Sequence, residues 1–285
     1  MRFIKTLLIA SLAAGSCALL AQDMPEAPKK RYIFNNGLSR DADKLRLEGD
    51  TLVEEITLPG GAKGERPYAI SSLEQIDFPE PEELTRAYKL MAEGKAAEAG
   101  LAAERVMREF LIFRDVKGSY WAPAALVRIQ SLSEGNRVDE ARKLVEELKK
   151  VSDDPNLVLE GQLAVVDGQI KFKKYDEAQE ELDALKGKVK GAPAGRVWLL
   201  EGDINFARGN MDEALRSYLR IPTLYPTVTE LQARAYIGAI RIYQKQLPYS
   251  KVSLRETANE LVREYPKSPE AALALKVLEE LDQAN

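Results

Sequence analysis

The sequence predicts a mainly α-helical protein, an α-solenoid of antiparallel helix hairpins preceded by a small antiparallel β module. Three observations carry that expectation. After Pro79-Glu80-Pro81 a helical pattern runs almost to the end of the chain, broken by Gly, Pro or Asp every roughly 12 to 20 residues, as paired antiparallel helices require. Within it one element recurs: Gly94-Lys95-Ala96-Ala97-Glu98-Ala99, Gly135-Asn136-Arg137-Val138-Asp139-Glu140-Ala141, Lys174-Tyr175-Asp176-Glu177-Ala178 and Gly209-Asn210-Met211-Asp212-Glu213-Ala214, with Leu254-Arg255-Glu256-Thr257-Ala258 a weaker fifth copy. The alanines stand 42, 37, 36 and 44 residues apart, a period that marks stacked helical hairpins. Ahead of Pro79 the pattern is different, with short alternating stretches separated by glycine-rich turns.

The chain opens with Arg2 and Lys5 ahead of an apolar run from Thr6 to Ala21, the layout of a bacterial-type secretory signal over residues 1–21. The run is about 16 residues, short of the roughly 20 that a membrane-spanning helix needs. Two processing routes compete, cleavage after Leu19-Leu20-Ala21 and lipid attachment at Cys17 in Ala14-Gly15-Ser16-Cys17. Cleavage is preferred, because Cys17 is followed by Ala-Leu-Leu and its box lacks the usual leucine. Either route takes the chain out of the cytoplasm, to the periplasm or the outer membrane. Residues 22–31 then combine prolines and charges without periodicity and read as a flexible leader.

Residues 32–79 read as the β module, with strands at Lys44–Glu48, Thr51–Leu58, Tyr68–Ile70 and Gln75–Phe78. Glu48-Gly49-Asp50 and the stretch Pro59–Gly64 mark its turns, where glycine accepts the positive φ that hairpins need. So small a sheet buries little on its own, so one face is expected on the helices, capping the end of the array. Residues 80–285 form the helical region, with five hairpins and a closing helix from about Ser268 to Leu281. Glycine there allows the tight inter-helix turn, acids favour the N-terminal end of the next helix, and alanine lets the paired helix come close.

Composition removes most catalytic chemistry. The 285 residues hold no histidine and one cysteine, so zinc sites of His and Cys, Ser-His-Asp and Cys-His nucleophile systems all lack their parts. Acids adjacent in sequence, such as Glu82-Glu83 and Asp153-Asp154, point in different directions on a helix and make poor acid/base pairs. No calcium-loop spacing and no phosphate-binding glycine loop occurs. The sequence therefore reads as a non-enzyme without cofactor or metal. Loss of Arg2 and Lys5 with the signal leaves 39 of the 41 cations against 45 acids, a mildly acidic balance that argues against nucleic acid as a partner. Without a disulfide available, packing alone must hold the fold.

At Arg196–Pro226 the spacing becomes specific. Trp198, Gly202, Ala214, Tyr218 and Pro226 stand where the tetratricopeptide repeat places its aromatic, glycine, alanine, second aromatic and closing proline. The chain resembles a tetratricopeptide-repeat (TPR) protein of the bacterial cell envelope, over about 200 residues from Glu80 on. It departs from that pattern at Glu201 and Asn205, and insertions around Phe113–Ala122 and Leu247–Val252 lengthen two intervals.

The resemblance implies a concave groove lined by the first helix of each pair, which binds a partner peptide or helix. Tyr88, Gln130, Asp167, Arg196, Asp203, Phe206, Gln232 and Tyr243 are the side chains it would place there, while Trp198 and Tyr218 would be core. It also implies a scaffold role in assembling an envelope complex. The alternative reading is a peptidoglycan- or carbohydrate-interacting module that stacks sugars on Tyr88, Phe206 and Tyr243. Two further features compete with bland explanations. The aromatics of Phe110–Phe113 and Tyr120-Trp121 suit either a partner-binding patch or a buried contact. The lysines at 171, 173, 174, 186, 188 and 190 suit either a polyanion or the negative ends of helices.

Overall fold

The computed structural model describes residues 30–283. The signal segment, Cys17 with its two processing routes and nearly all of the leader lie outside the described residues.

Six strands come first: β1 (Arg31–Phe34), β2 (Ser39–Asp41), β3 (Leu45–Glu48), β4 (Thr51–Thr57), β5 (Lys63–Ala69) and β6 (Leu73–Asp77). They form two antiparallel three-stranded sheets, ordered β2-β1-β6 and β3-β4-β5. Sequence reading anticipates one sheet and passes over β1 and β2. The last leader residue, Arg31, already belongs to β1, whose alternation buries Tyr32 and Phe34. The turn after β4 is also shorter than the glycines suggest. Leu58 accepts from Gly61 and donates to Ala62, while Gly60 and Gly61 adopt φ of 98° and 85°, and β5 starts at Lys63.

Eleven helices follow among the described residues: α1 (Glu82–Ala92), α2 (Ala96–Glu109), α3 (Trp121–Glu134), α4 (Val138–Val151), α5 (Pro155–Lys171), α6 (Tyr175–Leu185), α7 (Ala192–Arg208), α8 (Met211–Leu224), α9 (Thr229–Lys245), α10 (Lys251–Glu264) and α11 (Pro269–Gln283). The fold is thus the mainly helical array with a small β module that the sequence predicts. Its repeat is visible in the backbone. In each of the first four hairpins a left-handed residue sits five positions before the repeat alanine, and the residue after it donates its N–H to a carbonyl five residues back. The left-handed residues are Gly94, Asn136, Lys173 and Gly209, and the bonds run from Lys95, Arg137, Lys174 and Asn210 to Leu90, Leu132, Gln169 and Asn205. That bond closes the preceding helix. Glycine is therefore not the turn residue throughout, because Gly135 has φ −92° and hands the positive φ to Asn136. Ala99, Ala141, Ala178, Ala214 and Ala258 are all fully buried where paired helices meet.

The odd-numbered helices touch one another in succession from α1 to α11, whereas no two even-numbered helices make comparable contact among the described residues. Closer spacing in the odd layer makes it the inner side of the curve. Packing proceeds as a series of local cores. The first joins the β module to α1–α5, and the next three lie between α5 and α7, α7 and α9, and α9 and α11. Each core is built on fully buried leucines and isoleucines, such as Leu182, Ile221 and Leu261. Truncating one such side chain to alanine costs about 2–5 kcal/mol.

The insertion after α2 is the seat of the β module. Ile76 of β6 donates to the Lys117 carbonyl at 2.9 Å, and the Tyr120 hydroxyl donates to the Phe78 carbonyl at 2.9 Å. Tyr32, Phe78, Phe110, Phe113 and Tyr120 form a chain of ring contacts with centroids 5.3–6.3 Å apart. The aromatic stretch read from sequence as either patch or buried contact is a buried contact, with Phe110, Phe113 and Trp121 all enclosed.

Candidate partner-binding cleft

Three odd helices carry charged residues seven apart: Glu160 and Asp167 on α5, Arg196 and Asp203 on α7, Arg234 and Arg241 on α9. Seven residues is close to two turns, so each pair shares a face. The faces meet. Arg196 pairs with Glu160, and the Arg234 guanidinium lies between Asp167 at 3.8 Å and Asp203 at 3.6 Å. One cation thus bridges helices of three consecutive hairpins. Arg241 faces the same carboxylate electrostatically but makes no ion pair or hydrogen bond among the described residues.

The floor of this face is set by Tyr218 of α8, which reaches through the layer between α7 and α9. A Cβ at Gly202 or Gly238 would stand 2.6 or 2.7 Å from its ring, so both glycines are there to admit it. Its hydroxyl donates to Asp203 Oδ1 at 2.7 Å. Burial, and then the Asp203 charge, holds this phenol well above the usual tyrosine range. Burial also holds the Asp203 carboxyl above the ordinary carboxylate range, in spite of Tyr218 and Arg234.

Beside this group α9 and α11 enclose an open cleft of about 420 Å³, lined by Ile170, Leu199, Ile237 and Leu273 with Asp203, Arg234, Arg241 and Glu270 around them. Apolar walls with cations and carboxylates at fixed positions suit an amphipathic peptide side.

The eight side chains expected in the groove do not form one site. Asp167 and Asp203 come together through Arg234, and Arg196 is spent on Glu160. Gln232 is a correction: it is 1% exposed, and its amide donates to the Tyr225 and Val228 carbonyls, closing the α8–α9 connection. Phe206 carries Lys245 over its ring at 4.6 Å. Tyr243 is half-buried against the α9–α11 core, Gln130 half-buried on α3, and Tyr88 exposed on α1. Tyr218 is core, as expected, but Trp198 is only half-buried, with Arg220 4.0 Å and Lys186 5.4 Å from its ring centroid.

Arg234, Arg241, Glu270 and Leu273 were not read from sequence. The seven-residue spacing in phase on three helices is the signal that identifies the two arginines. Nothing in the sequence singles out Glu270 or Leu273, which reach the cleft only through the docking of α11. No helix among the described residues is long and apolar enough to cross a membrane. No model of a known protein family matches the chain, and no curated protein matches it.

Proposed function

We propose that this chain is an exported TPR-type scaffold of the cell envelope that holds a segment of a partner protein along the inner face of its odd helices. The observation that carries the reading is the cleft between α7, α9 and α11, where apolar walls adjoin Arg241, which makes no ion pair among the described residues. Such a cleft rewards a partner that brings an aliphatic side chain and an acid together, since burial supplies affinity and the charge fixes register. The odd helices form a stacked surface with further contacts for the rest of the segment.

The test is site-specific photocrosslinking in the native envelope. A crosslinker at Leu273, in the cleft, should give one defined protein adduct that Arg241→Glu abolishes. A control crosslinker at Glu147, exposed on α4, should not give it. Equal yield at both positions, or an adduct indifferent to Arg241→Glu in a folded variant, would refute groove recognition.

A further inference from the structure

The α9–α10 connection and the first turn of α10 carry the two most exposed large apolar side chains of the described residues, Tyr249 at 97% and Val252 at 70%, with Leu247 beside them at 43%. Their setting is unusual in charge. From Leu231 to Arg255 there is no Asp or Glu, while Arg234, Arg241, Lys245, Lys251 and Arg255 all fall in that span, in a chain whose net charge is −4. The α9 cations nearest the loop, Arg241 and Lys245, make no ion pair among the described residues.

We propose that this loop is a docking tip for an anionic lipid bilayer, with Tyr249, Val252 and Leu247 entering the headgroup region and the α9 end drawn to the charge. Three features favour a lipid surface over a protein groove. Exposure is greatest at the tip and falls toward the helices, the shape of a wedge rather than a flat interface. A tyrosine at the tip has an apolar ring and a hydroxyl that stays hydrated, which suits the interface between lipid and water. Arg234 and Arg255 of the acid-free stretch are paired with Asp167, Asp203 and Asp282, but the exposed Lys245 at the end of α9 complements anionic headgroups over the short range that salt permits. Tyr249, Val252 and Leu247 lie outside the cleft lining, so the apolar tip and the partner cleft are tested by different side chains.

Flotation of the purified chain with phosphatidylglycerol vesicles and with phosphatidylcholine vesicles tests this, comparing wild type with Tyr249→Ser/Val252→Ser. All forms keep the same N-terminus, so differences report the loop. Partition onto phosphatidylglycerol is expected to exceed that onto phosphatidylcholine, to weaken with salt, and to fall by about tenfold or more in the double variant. The side chains are so exposed that the variants will fold, and Tyr249→Trp gives an independent readout, a blue shift in emission on phosphatidylglycerol alone. Equal partition of wild type and double variant, or no shift at position 249, would overturn the proposal. So would a protein concentration-dependent dimer lost in the double variant, which would assign the tip to a second copy. Flotation uses only the purified chain and lipid, with no partner protein present, so its outcome is independent of the crosslinking at Leu273 and the two proposals fail separately.

Discussion

Tyr218 shows how much one side chain can fix in this molecule. It fills the space left by Gly202 and Gly238 and ends on Asp203, joining α7, α8 and α9 at one point. Gly202→Ala forces a methyl into a ring held on both sides, and should cost about 1–3 kcal/mol. Tyr218→Phe keeps the wedge and loses only the hydroxyl, for about 1 kcal/mol. Thermal denaturation orders the two, and a Gly202→Ala variant as stable as wild type would mean the ring is free to move. Asp203 supplies a pH dependence. Its folded carboxyl titrates above the ordinary value of 3.8, so the folded chain binds the extra proton between those two values. The stability it contributes is complete below the ordinary value and is lost as pH rises through the raised one. Asp203→Asn cannot titrate, so its melting temperature relative to wild type should climb as pH rises from about 4 toward neutrality; parallel curves would remove the burial argument. The sequence shows the tyrosine and one glycine of this joint through the repeat spacing. It does not show that Gly238 is the other half, because the two meet across hairpins.

The β module and the insertion after α2 act together at the scale of elements. Gly118 has φ +81°, and a Cβ there would sit 2.2 Å from the Ile76 carbonyl of β6. Gly118→Ala therefore meets both backbone strain and a clash with main chain, and should loosen the module without unfolding the helices beyond it. Hydrogen exchange would show faster exchange in β1 and β6 with unchanged protection in α7–α11. Uniform acceleration would mean the module and the whole array open as one unit. Glu54 on β4 gives the module an opposite pH response. The Tyr68 hydroxyl 2.7 Å away and the Arg40 guanidinium hold its carboxyl below the usual range, so its contribution is present above the unfolded value and disappears on acidification. The helices were legible because amphipathic periodicity and the alanine repeat are local signals. β1 and β2 were not, since they are three or four residues long and the strand that completes their sheet, β6, lies far along the chain from β1.

As a whole the molecule is a row of neighbouring cores rather than a single interior, and its stability should divide accordingly. Deleting residues 268–285 removes α11 and uncovers the core it shares with α9 and α10. Protection in α9 and α10 is expected to drop while amides in α3 and α4 keep wild-type exchange rates; a loss spread evenly over the chain would show one cooperative block. The cleft belongs to this scale too. Its arginines could be found by phase along three helices, but its walls include α11, whose place is set by packing on α9 and α10 across a hairpin boundary. The two ends also differ. At the front, β6 lies across the loop that follows α2, whereas at the back α11 still shows Leu275 46% exposed. A hairpin duplicated ahead of α1 would have to dislodge that lid, while one added behind α11 would find a surface ready to receive it. The β module thus acts as a stop for stacking at α1, while the exposed side of α11 leaves stacking open, so an engineered extra hairpin should be accepted behind α11 and rejected ahead of α1.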